Sequence, residues 1–169
     1  EKESARALLI VLLMSGTSCA ELGQYDITVN NVTVYKPSAP FTVSGVRDSA
    51  LTACLTQSLL DIDARMATDL VSLNCSDAGI ESLAGLEQFT QIQSMKLSSN
   101  DIRNLLVLER LTALNQVWLD NNDVVDPIPV LRMTGLKELN LAGNPHLQCP
   151  DPEDVPRHLS LNLPNHCER

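Results

Sequence analysis

Two stretches decide the fold: IQSMKLSSNDI at residues 92–102 and LNQVWLDNNDV at residues 114–124, which share one pattern displaced by 22 positions. The pattern extends both ways. It begins at Leu70 with Leu73, Cys75 and Ile80, runs through Ile92, Met95, Leu97, Asn100 and Ile102, then Leu114, Val117, Leu119, Asn122 and Val124. It ends at Leu136, Leu139, Leu141 and Asn144. After each strand-like part, apolar residues continue in steps of three: Ile80, Leu83, Leu86, Phe89; Ile102, Leu105, Leu108, Leu111; Val124, Pro127, Val130, Met133. Residues three apart eclipse one another in a 3₁₀ turn, so these segments are expected as short 3₁₀-like coils rather than full α-helices. A fixed period of this length is the mark of a solenoid, whose coils each expose an apolar wedge until a neighbour covers it.

The motif LxxLxLxxNxI resembles the leucine-rich repeat, and its 22-residue length resembles the SDS22-like subclass. The resemblance implies an α/β solenoid: four coils with parallel strands on a concave face, an N-terminal helical cap and a disulfide-closed C-terminal cap. It also raises a cytosolic phosphatase-regulator reading, which the leader and cysteines described below oppose. Asn100, Asn122 and Asn144 recur at one slot, where an amide can both donate to and accept from the adjacent backbone. They are read as a structural ladder. Ala78 holds the slot in the first coil, as suits an edge, and Pro145-His146 replaces the repeat after Asn144, which reads as the end of the array.

The expected organisation is a leader at 1–19, a tether or extra edge strand at 20–45, an N-terminal cap at 46–69, repeats at 70–146 and a C-terminal cap at 147–169. In the leader, Lys2 and Arg6 precede an apolar run from Ala7 to Met14, too short to span a bilayer and laid out like a secretory signal peptide. Gly16-Thr17-Ser18-Cys19 resembles a bacterial lipobox, which would lipidate Cys19; Ser18-Cys19-Ala20 also reads as a cleavage site that would discard it. Export to the periplasm or outer membrane as a lipoprotein is therefore expected, with secretion as the alternative. From residue 21 to 44 the runs Ile27-Thr28-Val29 and Val32-Thr33-Val34-Tyr35 are β-prone, and Pro37 and Pro40 favour a tether.

Asp48 is placed as the N-cap of an amphipathic helix from Ser49 to about Ala64, with Leu51, Cys54, Leu55, Leu59 and Ile62 on one face. The spacing Asp48, Leu51, Cys54 resembles the amino-terminal cap of exported bacterial repeat proteins. Loss or acylation of Cys19 leaves four of the five cysteines to pair in an oxidising compartment. Local pairing across the period joins Cys54 to Cys75 and Cys149 to Cys167, one clip at each end. Arg157–Leu163 is expected as a short helix in the C-terminal cap.

Between the inward-facing positions, alternation sends Ser72, Asn74 and Ser76; Ser94, Lys96 and Ser98; Gln116, Trp118 and Asp120; and Glu138, Asn140 and Ala142 to the concave surface. Trp118 is the one tryptophan of the sequence and has no core to fill there. The candidate partner-binding set is Trp118, Lys96, Asn140, Asp120, Gln116, Glu138 and Asn74, with local packing of Lys96 on Trp118 as the competing reading. The net charge of −9 excludes nucleic acid and an electrostatic grip on anionic lipid, so membrane contact rests on a lipidated Cys19 alone.

No enzymatic chemistry assembles: the sequence has no phosphate loop, HExxH or GxSxG, and its three histidines lie near the carboxy terminus. Asp120-Asn121-Asn122-Asp123 with Asp126 lacks the glycine and distal glutamate of a calcium loop, and Cys149, His158, His166 and Cys167 are irregularly spaced for zinc. No cofactor is expected. The functional expectation is a non-catalytic protein-binding module of the cell envelope or exterior, the alternative being a structural lipoprotein subunit of an envelope assembly.

Overall fold

A computed structural model describes residues 27–29, 32–35 and 41–167. The chain divides into two compact units, Glu1–Ser38 and Ala39–Arg169. In the first, strand β1 (Ile27–Val29) pairs antiparallel with β2 (Val32–Tyr35). The segment expected to be a leader, with Cys19, lies outside the described residues. No helix among those described is long and apolar enough to cross a membrane.

The second unit is the solenoid. Five short strands, β3 (Ser72–Asn74), β4 (Ser94–Lys96), β5 (Gln116–Trp118), β6 (Glu138–Asn140) and β7 (Ser160–Asn162), form one parallel sheet in chain order. Pairing joins Leu73, Met95, Val117, Leu139 and Leu161 in one row, each residue opposite the one 22 further along. The sequence period is thus the hydrogen-bond register. A second inward row follows each strand: Cys75, Leu97, Leu119 and Leu141, all buried. Ile80, Ile102 and Val124 and the three-step residues behind them fill the interior, with Phe89 the largest side chain enclosed.

The convex turns are 3₁₀ at Leu86–Gln88 and Leu106–Arg110, as the three-residue step implies. The third departs: Ile128–Leu131 is one α-helical turn, α2, because Leu131 and Arg132 donate four residues back to Pro127 and Ile128. Proline at the start of a helix forfeits only an N–H that has no helical partner, so Pro127 and Pro129 are compatible with this turn.

The larger departure is β7. Arg157–Leu163 contains a strand rather than the expected helix, and Ser160 pairs with Glu138, Leu161 with Leu139 and Asn162 with Asn140. Leu161 and Leu163 stand 22 residues after Leu139 and Leu141, so the inward L-x-L of the repeat recurs after its asparagine has gone. Its strand continues the sheet because an uncovered β6 would leave a row of unpaired backbone groups.

At the amino-terminal end, helix α1 (Ser49–Asp61) buries Leu51, Leu55 and Leu59 against the first coil. It ends about a turn earlier than the sequence pattern implies, and Ile62 is exposed rather than on the buried face. Asp63 takes a left-handed backbone (φ 51°) and reverses the chain, so that Ala64 N–H donates back to Leu59. Phe41 donates its N–H to Ala64 O at 3.1 Å and meets Phe89 edge-on, ring centroids 6.1 Å apart. Disulfides join Cys54 to Cys75 and Cys149 to Cys167, one at each end of the array.

Candidate functional site: the concave sheet face

Alternation along each strand has a direct consequence for surface chemistry. With Leu73, Met95, Val117 and Leu139 turned inward, their neighbours must face out, and the parallel register sets them side by side. Asn74, Lys96, Trp118, Asn140 and Asn162 form one transverse row, and Ser72, Ser94, Gln116, Glu138 and Ser160 the row beside it. Six of the seven candidate residues are thereby gathered on these two rows, and Asp120 follows β5 at the adjoining edge. Asn74 stands apart from the others on β3, two strands from Trp118, its Oδ1 accepting from the backbone N–H and hydroxyl of Ser76.

These side chains hold one another. Gln116 Nε2 donates to a carboxylate oxygen of Glu138 at 3.0 Å. Ser98 Oγ and Asn140 Nδ2 both donate to Asp120 Oδ1, at 2.7 and 3.0 Å. Asn140 Oδ1 in turn accepts from the Ala142 N–H. Trp118 is partly exposed, and the Lys96 ammonium lies 5.3 Å from its ring centroid, within cation–π range. The contact foreseen as local packing is therefore present. A shallow depression of about 150 Å³ opens on the other side of the tryptophan, between β5, β6 and β7, and is lined by Trp118, Glu138, Asn140, Ser160 and Asn162. Ser160 and Asn162 were missed as surface candidates because their segment was read as helical; the recurrence of Leu161 and Leu163 at the repeat distance was the signal that places them.

The asparagine ladder lies behind this face. Asn122 Oδ1 accepts from Ile102 N–H in the preceding coil, while its Nδ2 donates to Leu97 O of that coil and Leu119 O of its own. Asn100 and Asn144 repeat the arrangement, Asn100 accepting from Ala78 as well as Ile80. Among the described residues no buried side-chain nitrogen or oxygen lacks a partner. The residue before each ladder slot is left-handed: Asp77, Ser99, Asn121 and Gly143, with φ of 55°, 57°, 56° and 69°. That column was not read from the sequence, since four different residue types fill it.

Elsewhere, Arg103 and His146 converge on the Asp123 carboxylate, the guanidinium at 3.0 Å. The bond from His146 chiefly holds Asp123 below the usual carboxylate range, against the opposing effect of desolvation, with the positive charge of Arg103 adding to it. Cys149, His166 and Cys167 come within 4.8 Å of one another, but both sulfurs are joined in the disulfide and so are not thiolate ligands for zinc. His158 is exposed and is not part of that group.

No protein-family model matches the chain, and no curated protein matches it significantly in sequence. Among solved structures, internalin C2 of Listeria monocytogenes is similar with a TM-score of 0.61 and 16% identity, over 73% of this chain and 57% of that one. The functional domain of InlJ from the same organism, which includes a cysteine ladder, matches with a TM-score of 0.47 and 29% identity, over 56% of this chain and 20% of that one. The internalin inlF of that organism gives 0.47 and 18%, over 75% and 45%. This chain thus spans a little over half the length of internalin C2. At that identity the likeness concerns architecture, and together with the register above it makes the solenoid unit a leucine-rich repeat fold with disulfide-closed ends.

Proposed function

We propose that the chain is a non-catalytic protein-binding module of the cell envelope or exterior, which recognises its partner through the concave sheet face. The observation that carries this reading is Trp118, a large aromatic held partly exposed at the centre of a polar sheet. Apolar aromatic area on such a surface is costly in water, and tryptophan is the side chain most enriched at energetic centres of interfaces. Lys96, Asp120, Glu138, Gln116 and Asn140 surround it as a polar rim, and their mutual hydrogen bonds limit the side-chain entropy lost on docking. Asn74 serves as the far contact.

The leader, together with the two disulfides, supports an oxidising compartment. Retention at a membrane then rests on acylation of Cys19, which mass spectrometry of the mature amino terminus reads directly. Affinity capture from the native envelope, with wild-type protein beside Trp118→Ala, tests the binding face. Loss of the captured partner, corresponding to about 2 kcal/mol or more, is the expected result. Equal capture by both proteins removes the concave face from consideration.

A further inference from the structure

The depression beside Trp118 has a composition that specifies more than a surface for contact. Its floor and walls combine one aromatic ring, one carboxylate and small polar groups from Ser160, Asn162 and Asn140. Gln116 occupies one oxygen of Glu138; the other has no partner among the described residues, nor do the Ser160 hydroxyl and the Asn162 amide. Lys96 is on β4, on the opposite side of β5 from the depression, so the cation already at the ring does not line it. The chemistry left over is an aromatic surface next to an available carboxylate oxygen and uncharged acceptors, with a volume of about 150 Å³.

An aromatic ring beside a carboxylate complements a cation, and a planar guanidinium uses both, stacking on the ring while its N–H fork meets the acid. Charge favours the same occupant. The two carboxylates of this part of the face, Asp120 and Glu138, outnumber Lys96, and the whole chain carries 21 acidic against 12 basic residues.

Resting on the concave-face reading, we propose that the depression formed by Trp118, Glu138, Ser160 and Asn162 receives an arginine side chain of a protein partner. Glu138 accepts its N–H groups, Trp118 stacks on its plane, and the Ser160 hydroxyl and Asn162 amide oxygen take the remaining donors. Gln116 acts as a positioning residue by fixing the orientation of the Glu138 carboxylate.

Because Trp118 is the one tryptophan in the sequence, its fluorescence reports on this site without labelling. The probe is a short arginine-rich peptide, with the same peptide carrying citrulline in place of arginine as the uncharged control of equal shape. A saturable change in Trp118 emission with the arginine peptide and none with citrulline is expected. Glu138→Gln should weaken it about fivefold, the scale of one exposed ion pair. Glu109→Gln, which removes the same charge from the convex turn at Leu106–Arg110, should leave it unchanged. Equal response to both peptides, or equal weakening by the two variants, overturns the proposal, the second because it would report only the overall negative charge. If capture of the native partner still depends on Trp118 while Glu138→Gln has no effect on the arginine response, the concave-face reading stands and this one falls. If Trp118→Ala leaves capture intact, the broader reading fails.

Discussion

Asn100, Asn122 and Asn144 place amides within an aliphatic core, a costly choice unless every donor and acceptor is used. Each is used, because the amide spans two coils: it accepts from the preceding coil and donates to carbonyls on both. Asn122→Ala would strand the Ile102 N–H in the interior and leave the carbonyls of Leu97 and Leu119 with the amides of Asn100 and Asn144 as their remaining side-chain donors. A loss of about 2 kcal/mol is expected in urea unfolding, above that at an exposed asparagine such as Asn104. The ladder was legible because asparagine recurs at one slot. The left-handed column beside it was not, since Asp77, Ser99 and Asn121 share a backbone conformation and not a side chain.

Asp48 shows how one element is tied to the next. Its Oδ1 caps α1 by accepting from Leu51 N–H at 2.9 Å, and its Oδ2 accepts from Glu81 and Ser82 N–H groups of the first coil, also at 2.9 Å. Burial pushes this carboxyl up, but the backbone donors of Leu51, Ser82, Glu81 and Ala50 outweigh it and leave it below the ordinary value of 3.8. A depressed acid contributes stability above its unfolded value and loses it as pH falls through the folded one. Asp48→Asn keeps the cap but cannot accept both coil N–H groups, so it should cost about 1 kcal/mol at pH 7. The difference from wild type should shrink below pH 3.8, as urea midpoints across an acid series would show. Only the cap half of this role could be read locally; the coil half spans 33 and 34 residues of sequence.

The same junction depends on Gly85, whose φ of 102° is unfavourable for a side chain. A Cβ there would stand 2.7 Å from Val46 Cγ2, 2.8 Å from Val46 Cα and 2.9 Å from the Gly45 carbonyl. Two of those atoms are backbone and cannot rotate away. Gly85→Ala should therefore destabilise by about 2 kcal/mol or more, seen as a lowered melting temperature, since the cap must lift from the first coil.

A stack of identical coils is stable only if its two outer coils are closed, because each coil contacts only its neighbours. Here the closures are covalent as well as packed. The Cys54–Cys75 and Cys149–Cys167 bonds span 21 and 18 residues. In the chain-entropy model loops of this size each contribute about 3 kcal/mol. Replacing either pair by serine should lower the unfolding free energy by about that amount. The Cys149–Cys167 pair should also release β7, which hydrogen exchange at the Leu141 N–H, donated to Asn162 O, would detect as faster exchange. Unchanged protection there would mean that β7 holds by its ladder alone.

The sequence by itself determined the architecture of the solenoid: a 22-residue period can be satisfied only by coils stacked in register, and alternation then assigns which side chains face inward. It also determined the cysteine partners, since pairing across the open ends follows from where the period starts and stops. The tertiary structure decided the identity of the carboxy-terminal closure, turning Ser160–Asn162 into a fifth strand, because the exposed ladder of β6 outweighs any local helical preference. It decided the depression beside Trp118 for the same reason: two of its walls, Ser160 and Asn162, exist as surface only once β7 has paired. Periodicity is a property of neighbours along the chain, whereas a site made across three strands depends on side-chain positions that only packing defines.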